Sequence, residues 1–228
     1  MSKSIFLTGT GTDIGKTFIA GLMTKKLHQA GMNPGYYKAA MSGNDRRDDG
    51  SLIPGDALHV KTISGIGQPL DEMCPYVYEH AYSPHLASRI EGELVDLTKV
   101  RRGYETVCGK YDLVTVEGSG GILCPIRYEQ GEEQILLEDV IRGLELSSIL
   151  VADAGLGTIN TVVLTAEYMK HRDLKVKGII FNNWHGNEME RDNLYMCEEL
   201  TGLKVLTCVP WDSDDIDMEA DELAKLYE

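Results

Sequence analysis

Nine residues near the start of the chain, "GTGTDIGKT" (Gly9–Thr17), carry its clearest chemistry. A glycine-rich turn ending in Gly-Lys-Thr aims several backbone N–H groups and a helix dipole at one point, which makes an anion site. Lys16 places a compact positive charge where β- and γ-phosphates would sit, and Thr17 supplies a hydroxyl for Mg2+. The usual phosphate-loop pattern has a glycine where this chain has Thr10, with Gly9 one residue earlier. Threonine is tolerable there if the position needs no positive φ.

A magnesium–nucleotide site needs oxygen ligands, commonly one or two carboxylates. "DLVTVEGSGG" ends an apolar run in Glu117, and Gly118, Ser119 and Gly120 follow as small residues that permit close approach. Asp56, opening "DALHV", is the second candidate; on propensity alone it also suits the N-cap of the helix that begins there. In "YYKAAMSG", Lys38 ends another apolar run and Ser42 follows just after. A lysine at a strand end beside a phosphate loop can neutralise charge on a transferring phosphoryl group. "FNNW" could hold a base through Asn182, and "VPW" (Val209–Trp211) offers a backbone edge and an aromatic face to a purine. Taken singly, both are also ordinary loop residues.

These residues need a frame that brings strand ends together. "SIFLT" is a short apolar run leading into the Gly-rich turn, hence a buried strand. Phe18, Ile19, Leu22, Met23 and Leu27 then recur at helical spacing, and Gly31 stops the helix. "PGYYK" is a second strand, and the polar "GNDRRDDGSLIPG" is an exposed, moving loop. "SPHLASRIEG" and "LTKVRRGYETVCGKY" are helices. "YDLVTVEG", "SSILVADAG", "VKGIIFNN" and "LKVLTCVPW" are strands separated by helical stretches. Such runs, without period-2 alternation, predict a parallel sheet covered on both faces. The expected fold is one α/β domain over 1–228, mostly parallel, of the P-loop NTPase type. Ligands in such sheets lie beyond the C-terminal strand ends, where every residue singled out above falls. The acidic end, residues 212–228, reads as a solvated helix acting as a terminal cover.

Composition narrows the partners. A length of 228 residues suits one well-buried domain. A net charge of −14 repels nucleic acid and anionic membrane surfaces. The five cysteines form no Cys-x-x-Cys pair, as expected of reduced thiols in a cytoplasmic protein. No apolar run approaches the roughly 18 residues of a membrane span, and the N-terminus turns polar too quickly for a signal peptide.

Together, "GTGTDIGKT", "GYYKAAMSG", "GDAL", "SPHLAS", "VEGSGG", "LGTINTVVLTAE", Asn182–Asn183 and "VPW" resemble the dethiobiotin synthetase family, in that family's order. The threonine in the loop belongs to that family's own pattern. The resemblance implies a ligase that carboxylates 7,8-diaminononanoate with carbon dioxide and closes the ring with ATP and Mg2+. It assigns Thr12, Asp13, Ile14, Gly15, Lys16, Thr17 and Phe18 to the phosphates, with Thr12, Lys16 and Lys38 catalytic. Thr17, Asp56 and Glu117 would surround Mg2+. Asn182, Asn183, Val209, Pro210 and Trp211 would grip adenine, with Gly118, Ser119 and Gly120 also on the nucleotide. Ser42 would contact the substrate, and Gly157, Thr158, Ile159 and Asn160 would receive its carboxylate tail from across a homodimer interface. "KAAMSG" lacks the family's commoner proline, Asp13 stands where Glu is also found, and Asn183 stands where an acid is frequent.

Three other classes share parts of this pattern. Partitioning-type ATPase switches carry an extra lysine early in the loop, and here no lysine lies between Ser4 and Lys16. Guanine-binding GTPases need Asn-Lys-x-Asp, whereas Asn182 is followed by Asn183-Trp184-His185. Small-molecule kinases carry an arginine-rich lid, to which Arg46 and Arg47 are the nearest approach. An amide-forming relative of the cobyric-acid type would carry a glutaminase domain.

Overall fold

The computed structural model describes residues 2–131 and 133–228. In chain order the elements are β1 (Lys3–Gly9), α1 (Lys16–Gln29), β2 (Pro34–Lys38), α2 (Gly55–Ser64), α3 (Leu70–Met73), α4 (Pro84–Glu91), α5 (Leu97–Cys108), β3 (Leu113–Glu117), β4 (Pro125–Tyr128), β5 (Gln134–Leu136), α6 (Leu137–Leu144), β6 (Ser148–Asp153), α7 (Thr158–His171), β7 (Val176–Trp184), α8 (Glu188–Thr201), β8 (Val205–Pro210) and α9 (Ala220–Ala224).

Among the described residues, six strands form one sheet in the order β2-β3-β1-β6-β7-β8, every neighbouring pair parallel. Consecutive residues of its strands are apolar because helices cover both faces. Ile5 and Leu7 of β1 pack with Ile19, Leu22 and Met23 of α1, whereas Phe6 joins Val114, Val116, Val140 and Ile141 on the opposite side. A third cluster, with Leu150, Phe181 and Cys197, fills the space under α7 and α8.

The parallel arrangement sends every strand's C-terminal end to one rim. Register places Lys38 beside Glu117 across β2 and β3. Leu7 pairs with the same Glu117 across β1 and β3, two residues before β1 opens into the Gly-rich turn. So the loop, Lys38 and Glu117 come together from the topology alone.

Two local expectations are corrected. Asp56 is not the cap of α2; Pro54 holds that position, and Asp56 lies in the first turn with its side chain drawn to Lys38. The acidic end is not a solvated helix, since only Ala220–Ala224 is helical. Ile216, Leu223 and Tyr227 are fully buried there, and the Glu228 backbone exchanges hydrogen bonds with Ser4 at the edge of β1. This segment is a cover, but its anchor is apolar burial and strand-like pairing. Finally, β4 and β5 form an antiparallel hairpin outside the main sheet, too short and polar to register as strands in the sequence.

Candidate active site

The loop geometry follows from two backbone positions. Asp13 has φ 58° and Gly15, the N-cap of α1, has φ 91°. A β-carbon at Gly15 would come within 2.0 Å of Asn182 Nδ2, so both the dihedral and the space call for glycine. Lys16 is the first residue of α1, and its ammonium folds back to donate to the Gly11 carbonyl at 2.7 Å. Burial, assisted by the nearby charge of Lys38, lowers its pKa to about 8.

Next to the loop lies a compact charged cluster. Lys38 Nζ donates to Asp56 Oδ2 and to Glu117 Oε1, each at 2.6 Å. The Thr17 hydroxyl donates to Glu117 Oε1 at 2.8 Å, with Asp56 Oδ1 farther off at 3.4 Å. Burial works against the Lys38 charge, but Glu117 and Asp56 outweigh it and hold its pKa above the ordinary value. Asp56 is also opposed by burial, yet the Lys38 charge and hydrogen bond keep its carboxyl below the usual range. Lys38 and Asp56 are therefore ionised at neutral pH, and burial of Lys38 and Glu117 makes each dependent on its partners.

An open cleft of about 800 Å³ contains this cluster together with the loop from Thr12 to Phe18, Ser42, Ser119 and Gly120. Its far wall is the turn Ala81–Pro84 before α4. Ser42 Oγ donates to the Tyr82 carbonyl at 2.6 Å and fixes that wall to the end of β2. Ser119 Oγ donates to the Ala40 carbonyl at 2.8 Å, tying the small-residue turn after β3 to the same strand exit. Gly118 packs against Phe6 and Leu137 instead of facing the cleft.

This arrangement can bind a polyphosphate, hold a hard cation and place a lysine on a transferring group, but many P-loop proteins do as much. Relatives decide the family. A protein-family model described as "AAA domain" matches residues 3–218. The chain is 50% identical over 210 residues to the ATP-dependent dethiobiotin synthetase BioD of Brachyspira hyodysenteriae, covering 92% of each protein. It is 41% identical to the enzyme of that name from Clostridium botulinum over 229 residues, 100% of this chain and 99% of the relative. The chain belongs to the dethiobiotin synthetase family. Solved structures add the fold. The MinC:MinD cell division complex of Aquifex aeolicus superposes with a TM-score of 0.57 at 15% identity, over 92% of this chain and 81% of that one. A ParA-family ATPase of Chlorobium tepidum gives 0.56 at 14%, over 94% and 87%. A cell division complex and a ParA-family ATPase thus share the framework, and the distinction lies in residues.

In this synthetase-family chain the other expected positions spread along the rim. Asn182 ends beside the loop and donates through Nδ2 to the Ile14 carbonyl at 3.0 Å, while its buried Oδ1 has no partner. Asn183, at φ 58°, turns away and donates to Asp153 Oδ2 at 2.6 Å. Val209 is core, Pro210 is exposed, and Trp211 is 70% exposed at the end of β8. Gly157–Asn160 form the start of α7, outside the cleft, with Leu156 before them 91% exposed.

One contributor escaped the sequence reading. The phenol of Tyr36 donates to Glu117 Oε2 at 2.8 Å from within the core. Its signal was strand parity: Tyr36 lies two residues before Lys38, so both face the same side of β2.

Proposed function

We propose that this chain catalyses the ATP-dependent conversion of 7,8-diaminononanoate and carbon dioxide to dethiobiotin, a ligase reaction of biotin biosynthesis. The observation that carries the reading is Lys38, whose Nζ lies 2.6 Å from both Asp56 and Glu117 in the cleft of the phosphate loop. A cation so placed faces the position where charge moves between a phosphate and an acceptor oxygen.

In this reading one substrate amine and carbon dioxide form a carbamate. Its oxygen accepts the γ-phosphoryl group of ATP, releasing ADP and leaving a carbamic-phosphoric anhydride. The second amine attacks the carbonyl carbon; the new C–N bond closes the cyclic urea as the C–O bond to phosphate breaks. No covalent enzyme intermediate is required. Cys124 also lines the cleft, but burial pushes its thiol up to about 11, leaving it a poor nucleophile at neutral pH. The protein's contribution is positioning and charge: Lys16, with Thr12 and the loop amides, on the phosphates, Lys38 on the carbamate and the phosphoryl group, and Ser42 on the substrate.

The donor chemistry fits Mg2+. Thr17, Asp56 and Glu117 gather hard oxygens around a positive charge, at present the Lys38 ammonium. Among the described residues no three His, Cys, Asp or Glu side chains form an all-protein cage, which suits an ion completed by phosphate oxygens and water. When bound, Mg2+ would supply charge neutralisation at the β- and γ-phosphates. The unpartnered Asn182 Oδ1 suits the exocyclic amine of adenine, with Asn183 and Val209–Trp211 beyond it. A homodimer, with Gly157–Asn160 of each copy receiving the partner's substrate carboxylate, agrees with the exposed Leu156 just before that helix and Leu164 midway along it. A cytoplasmic site of action belongs to the same reading; among the described residues no helix is long and apolar enough to cross a membrane.

The test is Mg2+-dependent ADP release with and without 7,8-diaminononanoate and bicarbonate, with the product identified by mass. ADP formation requiring both, with dethiobiotin appearing in step, is expected. Slow hydrolysis indifferent to the diamine would return the chain to the switch ATPases whose fold it shares.

A further inference from the structure

Glu117 is buried and uses its two carboxylate oxygens differently. Oε1 meets Lys38 and Thr17 on the cleft side, and among the described residues Oε2 meets only the phenol of Tyr36, at 2.8 Å. Tyr36 is itself immobilised through its backbone. Its N–H donates to Gln68 Oε1 at 2.8 Å, and Gln68 Nε2 donates to its carbonyl at 2.9 Å. Since β2 is an edge strand, the fully buried Gln68 amide replaces the neighbour that β2 lacks, at this one residue. A side chain satisfying both backbone groups of a single edge residue fixes the position from which the phenol projects.

We propose that Tyr36, held by Gln68, is a positioning residue that fixes the Glu117 carboxylate so that Oε1 alone faces the cleft. Glu117 is thereby prepared to present to the hard cation the oxygen that Lys38 now holds. Without the phenol, Oε2 is a buried acceptor with no partner, and the carboxylate gains a reason to rotate, which weakens its grip on a cation. Partners of metal-binding carboxylates characteristically change metal affinity by about 10–100-fold when removed. The proposal rests on the assignment of Glu117 to the metal under the proposed function, so its test needs one arm independent of any metal.

The experiment compares wild type, Tyr36→Phe and Tyr227→Phe. The last removes another buried phenol on the same side of the sheet, one bonded to Thr115 Oγ1 at 2.7 Å and without contact to Glu117. Mn2+ is titrated into each protein with ADP present and free Mn2+ is followed by electron paramagnetic resonance. ADP affinity in excess chelator is measured separately. Tyr36→Phe should weaken Mn2+ binding about 10-fold or more, with metal-free ADP binding unchanged, and Tyr227→Phe should bind Mn2+ as wild type does. Equal Mn2+ affinity in wild type and Tyr36→Phe overturns the proposal. The metal-free arm is a double-mutant cycle of Tyr36→Phe and Glu117→Gln in urea unfolding. Non-additivity of about fivefold or more in the unfolding constant upholds the coupling, and additive effects reject it. Should wild type take up no Mn2+, the metal assignment fails and this cycle alone decides the role of Tyr36.

Discussion

Lys38 and Glu117 are in-register partners on β2 and β3, and the Lys38 ammonium stands 2.6 Å from Glu117 Oε1. The same ammonium is as close to Asp56, so the two carboxylates proposed for Mg2+ already share one lysine. A divalent cation on those oxygens requires the ammonium to move aside, toward the cleft in which the substrate would lie. On the proposed metal assignment, metal loading and release of Lys38 would be linked through shared oxygens.

Lys38→Ala separates those roles. If Lys38 acts on the phosphoryl group as proposed, its loss should lower kcat by about 10²–10³-fold with little change in the KM for ATP. It also removes the competing cation, so Mn2+ should bind the nucleotide-free variant more tightly than wild type. Equal losses in kcat and ATP affinity, with unchanged metal binding, would remove Lys38 from the transition state and from the metal site alike.

Lys16 gives a pH signature. Its folded pKa of about 8 lies below the ordinary 10.5, so between those values the unfolded chain holds a proton that the folded chain lacks. Stability therefore rises with pH across that window, and below pH 8 the buried charge is a full burden on the fold. Lys16→Met should be more stable than wild type at pH 7 and should lose the advantage as pH approaches 10. Parallel urea midpoints for the two proteins from pH 7 to 10 would contradict this environment for Lys16.

Much of the cleft was readable because each key residue closes its own apolar run or opens the helix after a loop. In a parallel sheet, such positions meet without any knowledge of strand order. Tyr36 and Gln68 were hidden for the opposite reason. Tyr36 reads as one more core aromatic until the β2–β3 register places it diagonally across from Glu117, and Gln68 sits in a loop with no periodicity to assign it. Asp56 attracted a local explanation, helix capping, that a charged partner 18 residues earlier overrode. The end of the chain misled through its charge, because composition counts the acidic residues and overlooks three apolar anchors spaced among them.

Those anchors make Tyr227 a stability determinant that does not line the cleft. Its side chain is fully buried against the α1 side of the sheet, with its phenol on Thr115. Tyr227→Ala should cost about 3–5 kcal/mol, in line with other large aromatic deletions from a core. ADP affinity at temperatures where the variant remains folded should be unaffected. A small shift in the unfolding midpoint would mean that the C-terminal cover is dispensable in solution.

Gly15 tests the loop itself. An alanine there meets two separate obstacles: φ 91° is unfavourable for any β-carbon, and that carbon would lie 2.0 Å from Asn182 Nδ2. Gly15→Ala should destabilise the protein by more than about 1 kcal/mol and push Asn182 off the Ile14 carbonyl, weakening ATP binding in the same variant. Asn182→Ala relieves the collision but not the dihedral. In the double variant the stability loss should accordingly be smaller than the sum of the two single losses, while ATP affinity stays low because the proposed adenine contact is gone. Urea unfolding and ATP titration calorimetry on the four proteins decide it. A Gly15→Ala protein as stable as wild type would mean that the loop relaxes freely and that Asn182 does not bear on it.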